Sequence, residues 1–276
     1  MFDILDFDAN FQAYLAKWME MNAEKFANVD QMEDAIPTVY MRWLNSPAAF
    51  LDGDTPAAYF SKYDSAPELI KWMRLYEDEN VPVPDQLMER IVQLGSDSVH
   101  PLMYTAKNAK YSNAVRVTAL NLLKEIETRG EPAELCMEII DARTEQDELA
   151  DVAAELLLSY AGAVKDKLIE RLESASEAAR ETYLDILCNF PGDERIYAYV
   201  LEEFLAGGKY ALYASFLGKL GDDRAIEPLT RALDIEELNY LDYIEIRNAI
   251  EALGGECNHE REFAGDPYYD SLGGTN

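Results

Sequence analysis

The chain has 276 residues, 49% of them hydrophobic, enough to bury a real core and to exclude wholesale disorder. Its 24 basic residues face 53 acidic ones, a formal net charge of −29, which repels phosphate backbones and anionic lipid and argues against nucleic acid or a membrane as partner. The same charge leaves two roles for the surface, a solubilising coat or a docking face for something basic.

No apolar run approaches the ~20 residues needed to span a bilayer. The opening "MFDILDFDANF" holds three aspartates and no early basic cluster, so no secretory signal peptide is expected. Within the first 84 residues, "FQAYLAKWMEM", "TVYMRWL" and "PELIKWMRLYEDE" read as aromatic-rich helices. Ser65 and Pro67 in "DSAPELIKW" read as an N-terminal cap and a first-turn proline. "NSPAAFLDGDTPAAYF" and "ENVPVPD" read as turns, the second as a boundary.

From Asp85 onward the chain acquires a period. Helical runs end at Gly95, Gly130, Gly162, Gly192, Gly221 and Gly254, roughly thirty residues apart, which is room for two helices per interval. Ile226, Leu229, Thr230 and Leu233 fall at i, i+3, i+4, i+7. Val164, Leu168 and Leu172 fall at i, i+4, i+8, and Tyr243, Ile246, Ile250 and Leu253 follow the same wheel. These are one-sided helical stripes and not strand alternation. A glycine after the last turn suits a left-handed C-terminal cap, and an aspartate beyond it can cap the next helix. "PGDERI" and "LGDDRAI" share Gly-Asp-acid-Arg, while "SVHPL" and "AIEPL" each place a proline in the first turn of a second helix. Cys136 and Cys188 sit within apolar helical patterns and Cys257 lies far from both, a usage that suits reduced thiols in the cytoplasm better than a disulfide framework.

On these residues, "FLGKLGDDRAIEPLTRAL" (216–233) resembles the HEAT-like repeat of the bacterial phycobilisome-lyase type. The likeness extends over roughly Asp85 to Glu260, strongest at the Gly221 repeat, moderate at Gly192 and Gly95, and carried by period and apolar pattern alone at Gly130 and Gly162. The signatures of tetratricopeptide and ankyrin repeats are absent. The resemblance implies an all-α fold, an α-α superhelix (a HEAT/armadillo-like solenoid) of about five helix pairs over 85–262. Residues 1–84 are expected to form an N-terminal helical cap, because a solenoid must cover its first apolar face. Residues 263–276 are expected to form a flexible acidic tail. Within the cap, Trp43-Leu44, Pro47, Leu51, Gly53 and Thr55-Pro56 are similar to a short helical segment of some bacterial antitoxins, a likeness too short to carry function.

Catalytic chemistry finds little footing. Gly218-Lys219-Leu220-Gly221 is followed by Asp222 and Asp223, whose charges would repel a phosphate, and no strand precedes it; it reads as a helix corner. "ECNHERE" offers Cys257 and His259 without a second ligand pair, so no metal site is expected. The two histidines, His100 and His259, would have to carry any histidine-based nucleophilic site, and His100 aligns with Glu227 as an exposed corner residue. Carboxylate pairs are too abundant to be informative. Phycobilin attachment, known for some relatives, lacks a recognisable chromophore pocket, and no cofactor is expected.

Helical wheels point to a binding surface instead. In the helix after Gly130, Leu135, Cys136 and Ile139 face inward while Glu134, Glu138, Asp141 and Glu145 face outward. The next repeat shows Asp166, Glu170 and Glu173, and the following one Glu202 with Arg195 and Tyr199; Arg224 and Arg231 then flank Glu227. In HEAT-like folds the second helices line the concave face, so the resemblance implies an acidic groove bounded by arginines. The expectation is a non-catalytic cytoplasmic scaffold that binds a basic protein or peptide there. A lyase-like or enzyme-associated protein with a carboxylate-based site is the alternative. A DNA-lesion enzyme is disfavoured by the charge.

Overall fold

The computed structural model describes residues 3–26, 28–144 and 147–272. Among them there is no strand. The helices are α1 (Phe7–Asn22), α2 (Val29–Glu33), α3 (Ile36–Leu44), α4 (Ala66–Asp78), α5 (Asp85–Gln93), α6 (Ser96–Lys107), α7 (Asn113–Glu125) and α8 (Ala133–Asp141). They are followed by α9 (Glu148–Leu158), α10 (Ala161–Arg171), α11 (Glu177–Leu187), α12 (Glu194–Ala206), α13 (Tyr210–Leu220), α14 (Ile226–Ala232), α15 (Tyr240–Ala252) and α16 (Pro267–Ser271). No helix among the described residues is long and apolar enough to cross a membrane. The chain divides into two compact units, 1–139 with 148–156, and 140–147 with 157–276.

In the first unit an aromatic cluster ties the amino-terminal region together. Asp6 caps α1 by accepting from the Ala9 N–H at 2.8 Å. Phe7, buried, meets Trp43 and Phe50 edge-on and stacks on Phe60. The chain before α1 is pinned to α4: Trp72 Nε1 donates to Asp3 O at 3.1 Å, and Tyr76 OH donates to Leu5 O at 3.1 Å. Burial pushes the Tyr76 phenol up to about 12. Pro67 does stand in the first turn of α4, but the Ser65 hydroxyl caps nothing; its carbonyl starts the helix by accepting from Glu68 and Leu69 N–H. Helix α4 packs on α5, α6 and α7, so the "ENVPVPD" loop falls inside this unit.

The second unit is a run of helices in contact chiefly with chain neighbours: α10 with α11, α12 with α13, and α13 and α14 with α15. Leu168, Tyr183, Leu184, Phe204, Leu217, Leu229 and Ile246 are among its buried side chains. The crossing of α13 and α15 is close because Gly218 lies there: a Cβ at that position would stand 3.2 Å from the Ala249 Cα.

The expected corners take the conformation their glycines suggest, with one exception. Gly221 closes α13 at φ +72°, accepting the left-handed cap that a Cβ disfavours. Gly95, Gly130, Gly192 and Gly254 also have positive φ. Gly162 does not mark a corner: it is the second residue of α10, and the turn is made just before the helix at Ser159-Tyr160, where Tyr160 N–H donates to Leu157 O at 2.9 Å. Asp193 and Asp222 cap the helical turns that begin after them, accepting from the Arg195 and Arg224 N–H. Pro101 lies in the second turn of α6, because the helix begins at Ser96, right after Gly95. Downstream of α15, Phe263 is buried against Tyr240 and Tyr243, and Asp266 caps the short helix α16, while most of the other side chains of 264–272 are exposed. Residues 273–276 lie outside the described residues.

Candidate functional site

The arginines read from sequence as the boundary of a groove are occupied within the chain. Arg195 closes on Asp193, the cap of its own helix, and reaches back to Asp166 Oδ1 of α10 at 2.9 Å. Further along, Arg224 closes on Asp222, reaches Glu194 of α12 at 2.8 Å and lies over the Tyr197 ring. At both Gly-Asp-acid-Arg sites, therefore, the aspartate caps the helix and orients its arginine, and that arginine holds an earlier helix. Hydrogen bonds from Arg195 and then Lys165 hold the Asp193 carboxyl well below the usual carboxylate range, and the Arg224 hydrogen bond lowers Asp222 in the same way. Arg231 pairs with Glu227 on the exposed face of α14.

Asp141 is held as well. It accepts from Tyr183 OH at 2.6 Å and pairs with Arg171, so it fastens helices within the second unit instead of facing outward. Glu145 lies outside the described residues.

What remains exposed in the second unit is a smaller acidic patch. Glu170 stands on α10 one turn beyond Asp166, and Glu173 comes just past the end of the helix. Glu173 and Glu202 converge on Tyr199 of α12: burial raises the Tyr199 phenol above its ordinary value, Arg180 pulls against that, and Glu203, Glu173 and Glu202 add to it. Arg180 is itself spent on the carbonyls that end the α10 region, donating to Leu172 O at 3.1 Å and Ala175 O at 3.3 Å. Glu170, Glu173 and Glu202 are all exposed, and none has an ion-pair partner among the described residues.

In the first unit, Glu134 and Glu138 belong to a pocket of about 300 Å³ between α6 and α8, shared with His100, Met103, Tyr104 and Lys107. Lys107 Nζ sits on Glu138 at 2.5 Å, and Tyr104 is 62% exposed. The apolar contribution of Met103 and Tyr104 was not anticipated. The available signal was the spacing of His100, Met103, Tyr104 and Lys107 at i, i+3, i+4, i+7 along α6.

The glycine-flanked "GKLGDD" segment is the end of α13 and its cap. Lys219, its one cation, reaches away to Asp185 at 2.8 Å. Cys136 and Cys188 are buried, and burial pushes each thiol up to about 12, far from a reactive thiolate. His259 stands 3.5 Å from Asp234 and 3.4 Å from Tyr243 OH; among the described residues no group of three or more His, Cys, Asp or Glu side chains is arranged to hold a metal ion.

No protein family's sequence profile matches this chain, nor does any curated protein or solved structure.

Proposed function

We propose that this protein is a cytoplasmic α-solenoid of HEAT-like repeats, a non-catalytic scaffold that takes a basic protein or peptide on acidic faces of its second helices. The observation that carries this reading is the pair Glu173 and Glu202 beside Tyr199, with Glu170 exposed on the last turns of α10, three acidic side chains without an ion-pair partner among the described residues. Carboxylates left unpaired on a face with a tyrosine offer a lysine or arginine both a counter-charge and an aromatic surface. The contacts between helices close in the chain, and the arginines that reach back from the Gly192 and Gly221 corners, support the repeat reading.

The test uses a fluorescent lysine-rich peptide and the full chain. Binding is expected at low salt and should weaken strongly between about 50 mM and about 300 mM salt, as screening shortens the reach of exposed charges. Glu170→Lys combined with Glu202→Lys should abolish it, while Glu227→Lys, on the Arg231-paired face of α14, should change it little. Absence of binding, or equal binding by all three proteins, overturns the proposal.

A further inference from the structure

One face of α15 is covered by ordered chain in place of another helix, and the fit leaves a pocket. Tyr243 OH donates to His259 O at 2.5 Å, and Arg261 Nη1 donates to Ile235 O at 2.5 Å, so residues 259–263 are strapped across the helix. Beneath the strap lies a pocket of about 530 Å³ lined by Tyr240, Tyr243, Ile244, Arg247, Arg261 and Phe263. That volume is in the range of small-molecule sites, roughly 300–1,000 Å³, which are mostly apolar with a few placed polar groups.

Its composition runs against the rest of the chain. Three rings packed on one another form its floor, with the Phe263 centroid 5.2 Å from Tyr240 and 4.9 Å from Tyr243, and only their edges reach the pocket. Two guanidiniums face it in a protein of net charge −29. Arg171, Arg195, Arg224 and Arg231 each hold a carboxylate at close range, whereas Arg247 has only a long ion pair to Glu251 and Arg261 has none among the described residues. Arg247 stands 3.7 Å from Glu251, beyond hydrogen-bond distance, and its Nε is shut from solvent with no acceptor. A third of its side chain stays exposed. Arg261 is fixed by backbone carbonyls, which neutralise none of its charge. Glu260 and Glu262 also border the pocket and neither is ion-paired to these arginines. Their charge discourages a polyanion, so a ligand must combine one anionic group with a ring.

We infer that this pocket binds a small aromatic anion, its ring against Tyr240, Tyr243 and Phe263 and its carboxylate or phosphate on Arg247 and Arg261. The ring contributes apolar contact, and the oxygens meet the exposed part of the Arg247 guanidinium and the charge of Arg261 that no carboxylate neutralises. This site is separate from the acidic surfaces and does not depend on the scaffold reading.

Calorimetric titration of the full chain with phenyl phosphate and with phenylacetate tests it, with inorganic phosphate and benzyl alcohol as half-ligands. Saturable binding of at least one aromatic anion, about tenfold or more tighter than either half-ligand, is expected. Arg247→Gln should remove that advantage, and so should Ile244→Glu, which adds a carboxylate to the wall without touching the strap's hydrogen bonds; unchanged thermal midpoints show that both variants fold. A phosphotyrosine peptide distinguishes the sources: tighter binding than phenyl phosphate identifies a protein side chain as the ligand, and weaker binding a free metabolite. No saturable binding, or binding that both variants retain, overturns the inference.

Discussion

Asp193 shows how much one side chain does at a corner. It accepts the Arg195 backbone N–H, both arms of the Arg195 guanidinium and the Lys165 ammonium at 2.7 Å. Its folded pKa lies below the ordinary 3.8, so its ionised form stabilises the fold above that value. The contribution is lost as pH falls from about 4 toward the depressed pKa. Asp193→Asn should lower stability at pH 7 by about 1 kcal/mol, since an amide accepts these bonds less strongly and exposed charges are screened. On acidification the wild type should then lose stability more steeply than the variant, so that the gap between them is narrower at pH 3 than at pH 7 and closes only below the depressed pKa. Urea denaturation at both pH values checks this, and parallel losses would show that Asp193 contributes no such linkage. The sequence made the capping role legible, because Gly-Asp before a helix is a local pattern. It did not reveal that Arg195 and Arg224 reach Asp166 and Glu194, since those contacts cross about thirty residues of chain.

At the scale of the helices, three glycines separate backbone requirements from packing requirements. Gly221 sits at φ +72° with open space around its missing Cβ, so Gly221→Ala should cost about 1 kcal/mol through conformation alone. Gly162 is helical, and an added Cβ would stand 4.0 Å from the Phe190 ring; Gly162→Ala should stabilise by up to about 1 kcal/mol. Gly218 is helical too, but Gly218→Val would press on Ala249 of α15 and should cost about 1–3 kcal/mol. Thermal unfolding of the three variants ranks them, and a stabilising Gly221→Ala or a destabilising Gly162→Ala would contradict the backbone assignments. In sequence Gly162 and Gly221 both read as corners, since each falls at the spacing of about thirty residues. Only the turn at Ser159-Tyr160 shows that Gly162 lies inside a helix, just past its corner.

Across the whole molecule, charge is the dominant feature. Internal ion pairs satisfy many acids, yet a net −29 remains, and self-repulsion of that size disfavours the compact state. The urea midpoint should therefore rise as sodium chloride is added up to about 0.3 M, where the screening length has fallen below ~10 Å. A falling midpoint would mean that the Asp193–Arg195 and Asp222–Arg224 ladders outweigh the repulsion. The same salt series should weaken basic-peptide binding, so stability and binding are expected to move in opposite directions.

The all-helical class, the positions of most corners and the caps at Asp193 and Asp222 could be read from the amino-acid sequence, because they depend on residues within a few positions of one another. Apolar spacing selects a helix face, glycine permits the left-handed turn, and aspartate accepts the free N–H groups beyond it. The fate of the charged surface required the tertiary structure. Arg195, Arg224 and Asp141 were read as outward-facing, and the fold turns each of them onto residues far along the chain. The pocket under residues 259–263 was equally hidden, since Arg247 and Arg261 meet only when the chain after α15 folds back over the helix. Local bonding is set by sequence neighbours, whereas the choice between an internal partner and an external one is made by packing.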